Sequence, residues 1–373
     1  MAPMRVTNPG LLKQFDAFID SIKPEDKVGL FFDDDPDGVC SGALVALALK
    51  RIHNKGTAIT LCSSRLEYGV TDEHVKAFKK AGVTKVITCD NAIEEHADPV
   101  EKIAEFADVL ELDNHAICGH FTKKNILMMK PQLYIANFDY SKYCTSKLVY
   151  DLFSRHCDLR DRDWVAVTGC ISDISTEPWM DWIRSVFRKY KVKMQKDFFK
   201  TDLGKVGIYI NDSISYNARY VHDAFDAVIE AHTPQEFLRS PIKKHHHAVE
   251  TELQRWTKGI EKNGEWHRDL DVVFYHVKPK FRIKSALSTI LGLKYPHWTI
   301  IISAPEKKSM TLSARRGDRK VAVNRLFQVA LEGLPNAAGG GHIPAAGGGC
   351  RLKDFPLFKS RVIELLRSGF TGL

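Results

Sequence analysis

Short apolar runs alternate with helical segments along the first third of the chain. The runs have the length and composition of buried strands, and they lie at residues 28–32, 57–62, 85–88 and 109–112. Helical patterns lie at residues 41–50 and 71–81, and the second has Thr71 as its N-cap and Gly82 as its stop. This alternation predicts an α/β fold with a doubly wound, mainly parallel sheet.

Aspartates stand directly after three of these predicted strands. The first strand is followed by a cluster of four, namely Asp33, Asp34, Asp35 and Asp37. Asp90 follows the third strand, and Asp113 follows the fourth. Because the carboxyl ends of parallel strands meet at one edge of a sheet, where ligands bind, we expect these side chains to converge.

The clustered carboxylates suit a metal ion better than a structural loop, because like charges at this spacing repel one another. Alternate side chains of an extended chain face the same side, so Asp33, Asp35 and Asp37 are expected to point together. Ser41 is then a candidate cap for the following helix. Hard carboxylate oxygens favour Mg²⁺ or Mn²⁺. The alternative is a solvated acidic loop, with the other strand-end aspartates in ordinary turn or capping roles.

Two further segments of the first half carry candidate chemistry. Asp173 follows an apolar run at residues 164–172, and it either completes the carboxylate cluster or caps the next segment. Residues 181–205 are rich in Lys and Arg, with Trp, Phe and Tyr interleaved. That composition suits phosphate contact with base stacking, and it equally suits an amphipathic helix whose aromatic rings lie in the core.

Residues 233–266 have the pattern of a long polar helix, and we interpret them as a connector between two domains. Three successive histidines, His245, His246 and His247, lie within this segment. Consecutive side chains point in different directions on a helix, so the three histidines make a poor metal site.

A second set of strand and helix patterns begins near His267. Strands are predicted at 271–276, 298–303 and 310–315, and helices at 284–291 and 321–332. The set ends in a glycine-rich passage in which Gly339, Gly340 and Gly341 precede His342. Glycines let backbone amides approach a ligand, and Arg315 with Arg316 can fork onto phosphate, so phosphate binding is predicted. A flexible tight turn is the alternative.

Composition limits the class of protein. Of 373 residues, 44% are hydrophobic and 27% charged, a balance typical of soluble globular proteins long enough for two domains. We find no apolar run of spanning length and no leader-like start, and the eight cysteines form no Cys-x-x-Cys pair. A cytoplasmic protein with reduced thiols is therefore expected. The net charge of +8 favours a polyanionic partner.

Five motifs occur in a characteristic order, namely Asp-Asp-Asp-Pro-Asp-Gly, Cys-Asp-Asn, Asp-Asn-His, Ser-Asp and Gly-Gly-Gly-His. This order resembles the DHH phosphoesterase superfamily with its DHHA1 domain, above all its archaeal-type RecJ-like single-strand exonucleases. The resemblance covers nearly the whole chain. It implies a DHH catalytic domain at residues 1–232, a linker helix at 233–266 and a smaller α/β DHHA1 domain at 267–373, with the active site in the cleft between the domains.

The resemblance also implies roles at matching positions. Two Mn²⁺ or Mg²⁺ ions are implied, and their ligands would be Asp33, Asp35, Asp37, Asp90 and Asp173. In this scheme Asp35 and Asp37 divide between the ions, Asp90 bridges them, Asp173 holds the second and Asp33 supports the first. Within the family triplet, which is Asp113, Asn114 and His115 here, the histidine approaches the scissile phosphate or the attacking water. Substrate contacts would come from Arg219, Arg315, Arg316, Gly339, Gly340, Gly341 and His342.

The chain departs from the family pattern at two positions. Asn114 stands where the family has the first histidine of Asp-His-His, and an amide is a weaker metal ligand than imidazole. Phe31 stands where many relatives carry a histidine. These changes predict one weaker metal site, but they leave the bridging carboxylate in place.

The function implied is two-metal hydrolysis of phosphodiester bonds in single-stranded DNA or RNA, within DNA repair or replication. One alternative is an oligoribonuclease or cyclic-dinucleotide phosphodiesterase, and another is a non-catalytic relative of Cdc45 that binds DNA or a helicase. A pyrophosphatase fits a basic chain of this size less well. The expected partners are single-stranded nucleic acid and a DNA helicase or replisome protein. A homo-oligomer is left open, and no membrane contact is expected.

Overall fold

The computed structural model describes residues 4–64 and 69–373, and the chain divides between His246 and His247 into two compact units. The strands of the first unit are β1 (Arg5–Val6), β2 (Val28–Phe32), β3 (Ile59–Cys62), β4 (Lys85–Cys89), β5 (Asp108–Leu112), β6 (Ile126–Met129) and β7 (Ile135–Ala136). Its helices are α1 (Pro9–Asp20), α2 (Pro36–His53), α3 (Asp72–Ala81), α4 (Ala97–Ile103), α5 (Thr145–Phe153), α6 (Asp163–Ser172), α7 (Met180–Lys189), α8 (Asp202–Tyr216), α9 (Val221–Glu230) and α10 (Pro234–Phe237).

The central sheet of the first unit has five parallel strands in the order β3-β2-β4-β5-β6. Apolar helices cover both of its faces, as the successive residues Phe31 and Phe32 show by joining different core clusters. The doubly wound α/β fold predicted from the sequence is thereby confirmed. Because all five strands run the same way, the loops that follow β2, β4 and β5 meet at one edge.

Three local predictions differ from the structure. α2 begins at Pro36, with Asp35 as its N-cap, whereas Ser41 lies inside the helix and donates to the Gly38 carbonyl at 3.0 Å. β6 was not predicted, because a run of four residues gives a weak pattern. The polar segment is not one helix, since α10 ends at Phe237 and α11 (Lys243–Asn263) begins after Pro241.

The second unit is built on a six-stranded mixed sheet in the order β12-β13-β11-β10-β9-β8. Its strands are β8 (Glu265–His267), β9 (Val272–His276), β10 (Thr299–Glu306), β11 (Ser309–Arg315), β12 (Ala338–His342) and β13 (Ala345–Arg351). Its helices are most of α11, then α12 (Lys284–Lys294), α13 (Val323–Leu331) and α14 (Phe355–Arg367). The functional boundaries drawn above at residues 232 and 266 stay predictions.

Two global features concern thiols and membranes. The eight cysteines, all among the described residues, are free thiols. In the described ranges, none of the helices combines the length and the apolar character needed to cross a bilayer.

Candidate metal centre

The turn between β2 and α2 is held by side chains from two neighbouring loops. Asp35 caps α2 by accepting a hydrogen bond from the Gly38 amide at 2.8 Å. The Ser63 hydroxyl and the Asn91 amide both donate to Asp33 Oδ1. A β-carbon at Gly38 would collide with the Asp33 carbonyl, so this close approach requires glycine. The turn therefore fixes both carboxylates at the edge of the sheet.

Asp37 lies in the first turn of α2 and faces the N-terminus of α5. Its buried carboxylate accepts hydrogen bonds from the amides of Thr145 at 2.8 Å and Ser146 at 3.1 Å. A β-carbon at Gly169 on α6 would collide with the carboxylate. Burial and the charge of Asp35 raise the pKa of Asp37 to about 6, against the effect of these hydrogen bonds. The predicted strand-like alternation is thus wrong for Asp37, because the helix has already begun at the preceding proline.

Asp90 occupies the centre of the site. It follows β4 with a φ of 59°, a left-handed conformation that Asp adopts more readily than most residues. Its amide donates to the Leu112 carbonyl at 3.0 Å, and its Oδ1 accepts from the Thr145 hydroxyl at 2.9 Å. Burial raises the pKa of Asp90 well above its usual range, and the charges of Asp37 and Asp35 add to this effect.

Two groups of potential metal ligands share Asp90. In one group, carboxylate oxygens of Asp33, Asp35 and Asp90 lie within 4.8 Å of one another. In the other, ligand atoms of Asp90, Asp113 and His115 are equally close. The convergence expected from the strand ends is therefore present in the fold.

Asp113 and His115 form a hydrogen-bonded pair after β5. The His115 Nδ1 atom lies 2.7 Å from Asp113 Oδ1, and the Lys130 ammonium lies 2.8 Å from Asp113 Oδ2. Burial opposes ionisation of Asp113, but these two cations lower its pKa. The bond to Asp113 raises the pKa of His115 to about 9, so the half-exposed ring carries a proton at neutral pH. Asp113 thus supports an imidazolium and is not a free ligand.

A buried charge network behind this pair was not predicted from the sequence. The fully buried ammonium of Lys130 contacts Glu94 as well as Asp113, and it lies 3.6 Å from Glu111. Burial raises the pKa of Glu111 well above its usual range, although the charge of Lys130 opposes this effect. Burial acts in the same direction on Glu94, but bonds from Glu111 and Lys130 lower its pKa. A charged residue inside an apolar strand, Glu111, is the sequence signal that could have indicated this network.

Asn114 and Asp90 both contact the hydroxyl of Thr145. The Thr145 hydroxyl is 3.0 Å from Asn114 Oδ1 and 2.9 Å from Asp90 Oδ1. Because a hydroxyl has one proton, it donates to one of these oxygens at a time. The amide thus stands next to the central carboxylate, at the position where the family histidine is expected.

Asp173 ends α6 and lies outside the two groups. Among the described residues, its carboxylate joins no set of three ligand atoms within 4.8 Å. Burial, followed by the charges of Asp37 and Asp35, nevertheless raises the pKa of Asp173 to about 7. Its carboxylate therefore lies within the electrostatic reach of the cluster, at the side where Asp37 stands.

The donor chemistry of these residues fits divalent cations. Burial raises the pKa values of Asp33, Asp37, Asp90 and Asp173, and repulsion by neighbouring carboxylates raises them further. Two neighbouring cations, Lys130 and His115, are already paired with Asp113. Carboxylates that gather without a neutralising charge are best satisfied by hard cations such as Mg²⁺ or Mn²⁺.

The predicted substrate-binding arginines have different surroundings. In the first unit, Arg219 is exposed and stacks over the neighbouring tyrosine ring at 4.8 Å. In the second unit, Arg315 is half-buried, and its Nε atom has no hydrogen-bond partner among the described residues. Arg316 is buried, with its Nε atom 2.7 Å from Asp318, so its predicted role in substrate binding is corrected to a structural one. The two successive side chains project in opposite directions at the strand end.

The glycine-rich passage forms a paired hairpin and not the flexible tight turn that was the alternative interpretation. Gly339, Gly340 and Gly341 belong to the edge strand β12 and pair with β13. The register aligns Arg315 with Ala345 and Ala345 with His342, so the arginine and the histidine share one face of the sheet. A β-carbon at Gly340 would meet nothing within 4 Å, which leaves the backbone bare there.

Comparison with known proteins agrees with this fold. Residues 27–171 match the family described as DHH family, N-terminal domain, whereas no curated protein matches the chain. A structure of exonuclease RecJ bound to manganese is similar, with a TM-score of 0.66, 17% identity and coverage of 98% of this chain and 95% of that one. RecJ of Thermus thermophilus with Mn²⁺ is similar at a TM-score of 0.65 and 14% identity. That match covers 96% of this chain, but this chain spans only 55% of the Thermus protein.

CDC45 from Entamoeba histolytica shares the fold as well, with a TM-score of 0.55 and 10% identity over 96% of this chain and 99% of that chain. Identities this low establish a common fold and not a common activity. Asp33, Asp35, Asp37, Asp90 and Asp113 all lie within the matched family segment. Residues 27–171 of the chain thus form a domain that matches the DHH family.

Proposed function

We propose that the protein is a metal-dependent phosphodiesterase, an exonuclease that hydrolyses single-stranded DNA with two divalent ions. The position of Asp90 is the observation that carries this proposal. Its oxygens lie within 4.8 Å of ligand atoms of Asp33 and Asp35, while Asp37 is its strongest charged neighbour. A buried carboxylate between two acidic sides suits a pair of cations that share one ligand.

The two ions would be held by Asp33, Asp35 and Asp90 on one side and by Asp37, Asp90 and Asp173 on the other. When bound, they would supply Lewis-acid stabilisation of the phosphoryl charge and a more acidic water. The Thr145 hydroxyl and the first amides of α5 hold Asp90 and Asp37 in place.

His115 has a separate role in this proposal. Its protonated ring can donate a hydrogen bond to a phosphate oxygen, on which negative charge increases during the reaction. Asp113 fixes the orientation of that ring through Nδ1, which leaves Nε2 as the donor towards substrate. The half-exposed position of the ring is consistent with contact to a ligand.

The choice of nucleic acid as substrate rests on charge and on the second unit. The chain carries a net charge of +8 despite its acidic centre. The sheet face that carries Arg315 and His342 also exposes the bare backbone of Gly340, which suits close contact with a phosphate or nucleotide. The solved structures of RecJ, named as an exonuclease, support this class of substrate for the shared fold.

Digestion of a single strand labelled at either end, with Mn²⁺ and then Mg²⁺, tests the proposal. Stepwise release of mononucleotides that stops on addition of a chelator is the expected result. Activity confined to dinucleotides or cyclic dinucleotides would support the alternative small-substrate enzyme. Strand binding without hydrolysis in either metal would support a non-catalytic role. Two features favour that role, namely the asparagine at position 114 in place of the family histidine and the likeness of the fold to CDC45. A helicase or replisome partner and a cytoplasmic location stay predictions.

Replacing Asn114 by histidine is expected to lower the Mn²⁺ concentration needed for half-maximal hydrolysis by roughly 10-fold. The imidazole would add a nitrogen donor beside Asp90 and release the Thr145 hydroxyl to donate to that carboxylate alone. Metal titrations of the hydrolysis rate would measure the change, with Asn114→Ala as the control that removes the amide without adding a ligand. A histidine variant that needs more Mn²⁺ would mean that the amide has another function, such as contact with substrate.

The double variant Arg315→Ala with His342→Ala is expected to weaken strand binding. The salt dependence of binding should also decrease, by the amount that corresponds to the loss of about one to two phosphate contacts. Both side chains belong to the sheet of the second unit and neither is part of the carboxylate cluster of the first, so metal content should not change. Binding of a labelled strand across a salt series measures the effect. Arg361→Ala, on the helix α14 of the same unit, is the control for removal of an arginine.

A further inference from the structure

A second cationic surface lies on the first unit, at the end of α7. Between Asp181 and Asp197 the sequence has no acidic residue, and residues 188–196 carry five cations. We call residues 188–196 the basic segment. Its cations are Arg188, Lys189, Lys191, Lys193 and Lys196, and all five are exposed.

The aromatic residues near the basic segment are mostly part of the core. Trp182 packs against Tyr150 with ring centroids 5.4 Å apart, and the buried Phe187 packs edge-on against Phe198. Phe199 differs, since 39% of its surface is exposed. The packing within α7 agrees with an amphipathic helix whose aromatic rings face the core, but the helix ends at Lys189 and covers only the first part of the stretch. The most exposed ring near the basic segment is that of Phe199.

The fold anchors the basic segment at the turn that follows α7. Lys191 adopts a left-handed conformation with a φ of 54° and ends the helix, and the amide of the following Val192 donates to the Phe187 carbonyl at 2.8 Å. The Val192 side chain is buried. The cations on either side of this anchor consequently project outward from a constrained turn.

Most of these cations are not neutralised within the protein. Lys189 pairs with Asp163 at 3.0 Å, and the flanking Arg184 and Lys200 have carboxylate partners of their own. Within residues 4–64 and 69–373, no ion pair engages Arg188, Lys191, Lys193 or Lys196. A cluster of exposed cations without counter-charges is typical of a surface that binds a polyanion.

The basic segment and the metal centre lie at opposite ends of α6. Lys189 contacts Asp163 at the start of α6, whereas Asp173 stands at the end of the same helix. A helix of 10 residues spans about 15 Å, which corresponds to roughly four to five phosphates of a stacked strand. A trinucleotide that reacts at the metal centre is too short to reach the basic segment, but a longer strand is not.

We propose that the basic segment binds the backbone phosphates of the nucleic-acid strand several nucleotides away from the cleaved bond, so that the enzyme prefers long single strands over short oligonucleotides. This inference rests on the proposed function, and it specifies the substrate class. Contact through phosphates predicts binding that depends on strand length and salt but hardly on base sequence.

The test compares Arg188→Gln, Lys193→Gln and Lys196→Gln, combined in one variant, with the wild type. For a strand of about 20 nucleotides, KM should rise roughly 10-fold at moderate salt, whereas KM for a trinucleotide and kcat for both should stay unchanged. In a plot of the logarithm of the binding constant against the logarithm of the salt concentration, each phosphate contact to a single strand contributes about 0.7 to the slope. Loss of three contacts should therefore reduce the magnitude of the slope by about two. The matched control is Lys76→Gln, Lys79→Gln and Lys80→Gln on α3, which removes three exposed charges elsewhere.

Binding of the labelled 20-nucleotide strand in a chelator separates this inference from the proposed hydrolysis. Loss of affinity and of salt slope in the basic-segment variant, but not in the α3 variant, supports the inference even if no strand is cleaved. Equal affinities and slopes for the two variants would overturn it while leaving a demonstrated hydrolysis untouched. An equal rise of KM for the trinucleotide and the long strand would also overturn it, since the contact would then lie at the cleaved bond.

Discussion

Replacing Asp90 by asparagine is expected to reduce hydrolysis by about 10²–10³-fold or more while the protein stays folded and still binds single strands. The amide keeps the left-handed backbone, because Asn adopts a φ of 59° as readily as Asp, and its oxygen can still accept from the Thr145 hydroxyl. The substitution thus removes only the negative charge of Asp90, the carboxylate that lies between the two acidic sides of the site. Rates with Mn²⁺ and affinity for a labelled strand in a chelator measure the two effects.

Stability provides an independent measurement of the same substitution. The charges of Asp37 and Asp35 repel ionised Asp90, so the Asp90→Asn variant should be at least as stable as the wild type in a chelator. Addition of Mn²⁺ should then stabilise the wild type more than the variant, because a ligand stabilises the fold that binds it. An enzyme without activity but with an unchanged response to Mn²⁺ would contradict the assignment of Asp90 as a metal ligand.

Asp271→Asn is the matched control for Asp90→Asn. Asp271 also has a left-handed backbone, with a φ of 48°, but it is exposed and lies in the second unit. Both substitutions remove one carboxylate from the same kind of backbone position. Full activity of the Asp271 variant beside an inactive Asp90 variant would assign the loss to the metal centre, whereas full activity of both would rule out Asp90 as a bridging ligand.

The elements predicted best from the sequence are those encoded by neighbouring residues. β2 begins and ends where predicted, and Thr71 caps α3 by accepting a hydrogen bond from the amide of the third helical residue. The aspartates after β2, β4 and β5 could be assigned to one edge because parallel strands determine where their ends meet. In these cases a local pattern and one topological rule were sufficient.

The features that were not predicted depend on contacts between distant parts of the chain. Asp37 is turned towards the amides of Thr145 and Ser146, which lie more than 100 residues later. Arg316 was expected to bind phosphate, but the fold supplies Asp318 and buries the pair. Nothing in the spacing of these residues distinguishes a cation that serves a ligand from one that serves the fold.

The hairpin of the second unit shows a related limit. Glycine-rich sequence is typical of loops, and here β12 and β13 form strands because each glycine pairs with a partner across the hairpin. The strand structure of this passage therefore depends on the register between β12 and β13. Register belongs to the pair of strands, so neither strand's own sequence predicts it. The same pairing places Arg315 and His342 on one face, which their separation in the sequence does not indicate.

Replacing Lys130 by methionine is expected to lower the free energy of unfolding by about 3–5 kcal/mol at pH 7. Methionine fills much of the same volume, but it leaves Glu94 and Asp113 buried without the ammonium that both contact. For a chain of 373 residues, a loss of that magnitude corresponds to a fall in Tm of roughly 4–6 °C, which a thermal melt can measure.

The loss should depend on pH in a defined direction. In the wild type, His115 and Lys130 lower the pKa of Asp113, so this stabilisation is present above the unfolded-state pKa of about 3.9 and is lost below it. Without the ammonium, the pKa values of Asp113 and Glu94 should rise, and both groups can take up protons at mildly acidic pH. The difference in Tm between wild type and Lys130→Met should therefore narrow between pH 7 and pH 5.

Two further variants show whether the loss comes from the buried charges. Lys85→Met removes an ammonium from the other end of the same sheet, where its partner Asp108 is half-exposed, so it should cost only about 1 kcal/mol. Adding Glu94→Gln to Lys130→Met removes one unpaired carboxylate and should recover part of the stability. If Lys130→Met were no less stable than Lys85→Met, the network would not stabilise the fold, and the position of His115 would have to depend on Asp113 alone.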